Sequence, residues 1–220
     1  MINIAIDGPS GAGKSTLSRK AALALGYLYI DTGALYRAVG LAAARAGIAI
    51  DETEKIAALA DKTTVSLAIE EDGQHVFLNG EDVTSLIRTE NASRYASAVS
   101  AVPEIRALLL QTQRRLAEEN NVIMDGRDIG TVVLPNAQVK IFLTASAEAR
   151  ARRRYDEQIA RGEPVVFETV LADIIERDHR DSTRAIAPLK QSDDAILVDT
   201  TAIDFDQSLE LLLNTIRERI

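Results

Sequence analysis

The chain has 220 residues, of which 46% are hydrophobic, enough for one well-buried α/β core and a small insertion. It has no cysteine, which excludes a disulfide framework and a thiolate zinc site, and no apolar run long enough to span a membrane. A net charge of -8 disfavours non-specific binding to nucleic acid or to an anionic membrane, and with no signal peptide in view a cytoplasmic location is expected.

Ile2 to Ile6 is a short β-branched run suited to a buried parallel strand, and Lys14 to Leu25 has helical spacing, with Leu17, Ala21 and Leu25 along one side. Between them lie Gly8, Pro9, Ser10, Gly11, Ala12, Gly13, Lys14, Ser15 and Thr16. Four residues separate Gly8 from Gly13 and Lys-Ser follows, which is the phosphate-loop spacing. The glycines let backbone N–H groups close around an anion at the positive end of the helix dipole. Lys14 can then reach β and γ phosphates, and the Ser15 hydroxyl can ligate Mg²⁺.

Tyr27 to Ile30 predicts a second strand, broken by Asp31-Thr32-Gly33, and Ala34 to Ala46 a helix with Arg37 in its first turns. DTGALYR resembles the strand–TG–helix–Arg element of nucleoside monophosphate kinases, which implies acceptor-nucleotide roles for Thr32 and Arg37. The plainer alternative is an N-cap threonine and a solvated arginine. Asp51 to Ala60 predicts a short helix. Val65, Leu67 and Ile69 then alternate, Asp72-Gly73 turns the chain, Val76 and Leu78 alternate again, and Asn79-Gly80 turns it before Val83: a three-stranded antiparallel meander in which His75 is expected to be solvated.

Thr84 to Ser100 suits a short helix and a loop, with Ser97 available. Pro103 opens a helix to about Glu119, with Arg106 at the edge of its apolar stripe. Val122 to Met124 is the third core strand and runs into Asp125-Gly126-Arg127-Asp128, an arrangement suited to the ligand-binding edge of an open α/β sheet. Val139 to Leu143 is the fourth strand. Ala147 to Arg161 carries Arg150, Arg152, Arg153, Arg154 and Arg161, either a group seeking an anion or a solvated face. Phe167 to Ile186 predicts a helix with Arg177, Arg180, Asp181 and Arg184 on one face, where an Arg177–Asp181 ion pair is the simplest account, and His179 is expected to be solvated. Ala195 to Val198 and Gln207 to Ile220 complete the chain as strand and helix.

Taken together, GPSGAGKST, DTGALYR, the β insertion, DGRDIGTVVLP and RDHRDSTRAIAPL are similar in order and spacing to bacterial cytidylate kinases over nearly the whole length. The resemblance implies a single P-loop kinase domain with a five-stranded parallel sheet flanked by helices. It also implies an antiparallel nucleotide-binding insertion at about 63–98, a helical lid at about 150–165, and transfer of the ATP γ-phosphoryl group to CMP or dCMP with Mg²⁺. It assigns Arg37, Arg127 and Arg184 to the CMP phosphate, Asp128, Arg106 and Ser97 to the base, and Arg177 with Asp181 to the ribose. Lys14, Arg127, Arg153 and Arg184 are the implied catalytic cations, with Arg153 on ATP, and the family suggests a monomer. Other acceptors, such as UMP, AMP or shikimate, would keep the phosphate loop. A GTP switch lacks its N-K-x-D, and LSGGQ is absent.

Overall fold

A computed structural model of the chain describes residues 1–70 and 73–220. Its elements in chain order are β1 (Asn3–Asp7), α1 (Lys14–Leu25), β2 (Leu28–Asp31), α2 (Thr32–Arg45), α3 (Thr53–Ala57), β3 (Val65–Glu70), β4 (Gly73–Leu78), β5 (Glu81–Asp82), α4 (Glu90–Val99), α5 (Pro103–Glu119), β6 (Val122–Gly126), β7 (Val139–Thr144), α6 (Ala147–Ala160), α7 (Phe167–Thr183), β8 (Ile196–Asp199) and α8 (Phe205–Arg217). They divide into two compact units, one of Met1–Tyr29 with Asn121–Ile220 and one of Ile30–Asn120.

A five-stranded parallel sheet runs in the order β2-β6-β1-β7-β8. Its central strand, β1, is flanked by two others, and Ile4, Ala5 and Ile6 are fully buried, which is why the run is apolar without alternation. Leu17 and Ala21 of α1 join Ile123, Ile141 and Val198 in the same core, closed by Leu212 and Ile216 of α8. The register sets Asp7 opposite Gly126, so the loops after β1 and β6 leave the sheet side by side at its C-terminal edge. That is where open α/β sheets bind ligands.

The other unit has its own core, in which Leu35 and Val39 of α2 meet Val76, Leu78, Val83, Ile105 and Leu109. Gly40 lets α2 and α4 approach closely, because a Cβ there would come 2.8 Å from that of Tyr95. The antiparallel sheet β3-β4-β5 is a meander as expected, but β5 has only two residues and Val83 is buried beyond it. Asp72 of the expected Asp72-Gly73 turn lies outside the described residues. The meander shares the compact unit Ile30–Asn120 with α2, α4 and α5.

Several expectations require correction. Asp31-Thr32-Gly33 does not separate strand from helix: β2 runs through Asp31, whose carboxylate caps α2 by accepting from the Ala34 amide at 3.1 Å, so Thr32 is already helical. The helix expected from Asp51 to Ala60 is shorter and is followed by a 3₁₀ turn at Ala60–Lys62. α7 stops at Thr183, and Arg184 is extended at φ -59, ψ 141, so it does not share a helical face with Asp181. α8 begins at Phe205, behind a capping box made by Asp204 and Gln207. His75 is half-buried and paired with Asp82 at 2.8 Å rather than solvated. Hydrogen bonds from Thr84 and then the contact with His75 hold the Asp82 carboxyl down to about 2.

Candidate functional site

The phosphate loop owes its shape to its glycines. At Gly8, φ is +151° and a Cβ would come 2.0 Å from the carbonyl oxygen of Leu143, so no side chain fits between β1 and β7. Gly13 takes a left-handed conformation at the start of α1, whose first turn has neither a side-chain cap nor an acidic residue, which leaves its amides to an anion. Lys14 is only 5% exposed, and its Nζ donates to the Pro9 carbonyl at 2.7 Å. Burial, with the nearby Arg127 charge, pushes its ammonium well below the usual lysine value, against opposing pulls from Asp125 and Asp7.

Ser15 Oγ donates to Asp125 Oδ2 at 2.7 Å, and Tyr29 OH donates to Oδ1 at 3.1 Å. This fits a Mg²⁺ site in which one or two protein oxygens act with substrate phosphates and water. Among the described residues there is no cluster of three carboxylates, histidines or cysteines that would make an all-protein cage. Asp125 is thus a candidate metal-holding residue that sequence reasoning left among the general acidic residues of its loop. The signal was there, since a carboxylate ending the strand beside the phosphate loop is where a metal-holding aspartate belongs.

Asp7 is a second. Its two oxygens accept from the Ile129 and Gly130 amides, each at 2.7 Å. Those amides open a π-helical turn, Ile129–Val133, which immediately follows Asp128. Burial raises the Asp7 carboxyl to about 6, with a smaller push from Asp128, even though both amides and Lys14 favour its ionised form.

The two arginine-aspartate motifs interlock. Arg127 Nε donates to Asp181 Oδ2 at 2.8 Å, and Arg184 Nη2 lies 3.4 Å from Asp128 Oδ1. Asp181 is thus paired with an arginine of the loop after β6. Burial works against its ionisation, but Arg127 prevails, with help from Arg177 and Arg184, and the carboxyl stays below its ordinary value. Arg180 is exposed and faces Glu176 at 3.7 Å. Arg184 Nε also donates to the carbonyl of Ala187 at 2.5 Å, and Ala187 is held at φ +47, a conformation that costs a non-glycine residue about 1 kcal/mol or more. Largely buried ion pairs of this kind do little for stability.

Thr32, Arg37, Ser97 and Arg106 belong to the other unit. Thr32 is buried at the start of α2. Arg37 Nη2 meets Asp31 Oδ2 at 2.6 Å. Arg106 is buried, donates to the Ser100 carbonyl at 3.3 Å and lies 5.8 Å from the centre of the Tyr36 ring. Ser97 is half-buried on α4, two residues before that helix ends.

The α6 arginines do not act as one group. Arg152 stacks on Phe167 at 4.4 Å, Arg161 pairs with Glu163 at 2.8 Å, and Arg150 is buried against Asp178. Arg153 donates to the Thr200 carbonyl at 2.6 Å, at the end of β8. Much of the charge expected to await an anion is satisfied within the chain.

A cytidylate kinase family profile matches residues 4–218. The cytidylate kinase of Geobacillus sp. (strain WCH70) is 48% identical over 219 residues, covering 100% of this chain and 98% of its own. That of Caldanaerobacter subterraneus subsp. tengcongensis is 50% identical over 217 residues, covering 99% and 95%. Among solved structures, a gluconokinase from Sinorhizobium meliloti 1021 covers 99% of this chain and 92% of its own with a TM-score of 0.52 at 16% identity, a likeness of fold alone.

Proposed function

Because the chain belongs to the cytidylate kinase family, its reaction is transfer of the ATP γ-phosphoryl group to CMP, and we propose how its residues divide that work. The phosphate loop from Gly8 to Thr16 takes the donor phosphates, with Arg153 as the outer donor contact. Arg37, Arg127 and Arg184 take the acceptor phosphate, Asp128, Arg106 and Ser97 the base, Arg177 and Asp181 the ribose, and Thr32 supports the acceptor side. The observation that carries this reading is the register of Asp7 with Gly126, which brings the phosphate loop and the Arg127-Asp128 loop out of the sheet as neighbours.

A nucleotide phosphate is already ionised at pH 7, so the acceptor needs no general base, and the protein's task is to offset the repulsion between two anions. Lys14 supplies one cation from the donor side. Arg127 and Arg184 supply planar forks matched to phosphate oxygens. Ser15 and Asp125 would hold Mg²⁺, which when bound neutralises charge on the β and γ oxygens. Residues 150–165 act as a lid that excludes water, a competing acceptor. A cytoplasmic monomer that also accepts dCMP belongs to the same proposal; among the described residues, no helix is long and apolar enough to cross a membrane.

Cytosine offers an amino donor where uracil offers a carbonyl, so a carboxylate at Asp128 separates the two. Asp128→Ala should cost about 2 kcal/mol, roughly thirtyfold in kcat/KM for CMP, with ADP affinity within twofold of wild type. Equal losses on both sides would remove Asp128 from the acceptor site. The whole reading is tested by ADP release on a panel of CMP, dCMP, UMP, AMP and shikimate. Turnover is expected with CMP and dCMP, and turnover stimulated chiefly by AMP or shikimate would overturn it.

A further inference from the structure

The segment beginning at Arg150 is expected to close over ATP, yet Arg150 itself is sealed, at 4% exposure. Four of its five N–H donors are committed: Nε to the Ala145 carbonyl at 2.8 Å, Nη1 to the Ser10 carbonyl at 2.9 Å and to Asp178 Oδ1 at 3.1 Å, and Nη2 to Asp178 Oδ2 at 2.5 Å. One guanidinium thus joins the end of β7, the phosphate loop and α7. The loop also rests on both helices, since a Cβ at Gly11 would lie 3.3 Å from the Cβ of Arg150 and 3.7 Å from Ile174 Cδ1.

The Ser10 carbonyl and the Gly11 amide belong to one planar peptide unit, so whatever fixes the carbonyl also aims the N–H. Apolar packing would serve stability at least as well as a buried guanidinium held by a half-buried carboxylate, which makes aim the better account of the pair. Asp178 is next to Arg177 and one turn from Asp181, the residues assigned to the acceptor ribose.

We propose that Arg150 and Asp178 form a positioning pair through which acceptor binding on α7 sets the orientation of the phosphate loop, so that CMP raises the affinity for the donor nucleotide. This rests on the acceptor assignment of α7 given above. A displacement of α7 moves Asp178, a bidentate contact obliges Arg150 to follow, and the Ser10 peptide turns with it. Linkage requires ADP to raise CMP affinity by the same factor.

Calorimetric titration of ADP with and without saturating CMP tests the coupling in the wild type, in Asp178→Asn, which keeps the shape but loses the charge, and in Arg150→Lys, which keeps the charge but cannot span three partners. CMP is expected to tighten ADP at least fivefold in the wild type and less than twofold in both variants, with CMP affinity in the absence of ADP within threefold of wild type. A wild-type ratio of one, or an undiminished ratio in Asp178→Asn, overturns the proposal and leaves the acceptor assignment standing. Failure of the wild type to bind CMP overturns both. Should the variants not fold, amide exchange at Gly11 in the wild type decides: slowing of at least fivefold on adding CMP alone supports the coupling, and an unchanged rate overturns it.

Discussion

Lys14→Met should lower kcat by about three orders of magnitude while leaving the nucleotide-free protein at least as stable as the wild type. The loss is expected because Lys14 is the cation proposed for the donor side, where charge develops during transfer; single preorganised groups of this kind are worth roughly 10²–10³ in kcat. The second half rests on burial. Lys14 is almost inaccessible, and desolvation pushes its ammonium below the ordinary lysine value. For a lysine whose folded value is depressed, the charged form penalises the fold at neutral pH, and the penalty is relieved only as pH rises toward the unfolded value of about 10.4. Methionine keeps the length of the stem without the charge. What it gives up is the Nζ bond to the Pro9 carbonyl, worth on the order of 1–3 kcal/mol for a charged donor. Steady-state kinetics and thermal unfolding on the same preparation check both parts. A kcat within tenfold of wild type would remove Lys14 from the transfer step, and a fall of many degrees in Tm would make it a structural strut.

The phosphate loop was legible because everything that makes it is local: the glycine spacing, an apolar strand before it and a helical period after it. The same holds for the order of strands and helices, which periodicity reports without help from tertiary contacts. What escaped was decided at a distance. Whether Asp31 or Thr32 caps α2 turns on one pair of backbone angles, φ -81 and ψ 97 at Asp31, and both residue types favour the position. Helical spacing put Arg184 on a face with Asp181, but the chain bends out after Thr183 to bring Arg184 to the Ala187 carbonyl. Arg150 sits in a run that reads either as seeking an anion or as a solvated face, and only Asp178 on the next helix and the Ser10 carbonyl reveal that it is buried within the chain. No period marks a five-residue π turn, and nothing near Asp7 announces partners at Ile129 and Gly130. The proposed acceptor residues came from motif similarity, and the structure adds that Asp128 and Asp181 each rest on an arginine from the opposite motif.

Asp7→Asn should remove a pH dependence of stability worth about 3 kcal/mol. The Asp7 carboxyl titrates near 3.8 in an unfolded chain and is raised to about 6 in the folded one, mainly by burial. At about 1.4 kcal/mol for each tenfold change, that difference is about 3 kcal/mol. Its sign is fixed by which state holds the proton more tightly. The folded protein keeps it to higher pH, so the contribution favours folding fully below about 4 and is lost as pH rises through 6. The free energy of urea unfolding, measured for wild type and Asp7→Asn between pH 4 and 7.5, should therefore show the wild type losing about 3 kcal/mol relative to the variant across that interval. Comparing the two proteins cancels the opposite slopes of carboxyls held low, such as Asp181 and Asp82. A wild type that holds its stability relative to the variant, or gains on it, as pH rises would refute the raised value. Above pH 6 the ionised carboxylate is costly, and what the chain receives for it is two short hydrogen bonds that hold the backbone directly after Asp128. Asparagine can accept from only one of those amides and turns its own N–H toward the other, so kcat/KM for CMP should fall at pH 7.5 even where stability does not. Lys14→Met tests the same balance from the other side. Losing the lysine removes one of the charges that lower Asp7, so in that variant the stability transition should move to higher pH.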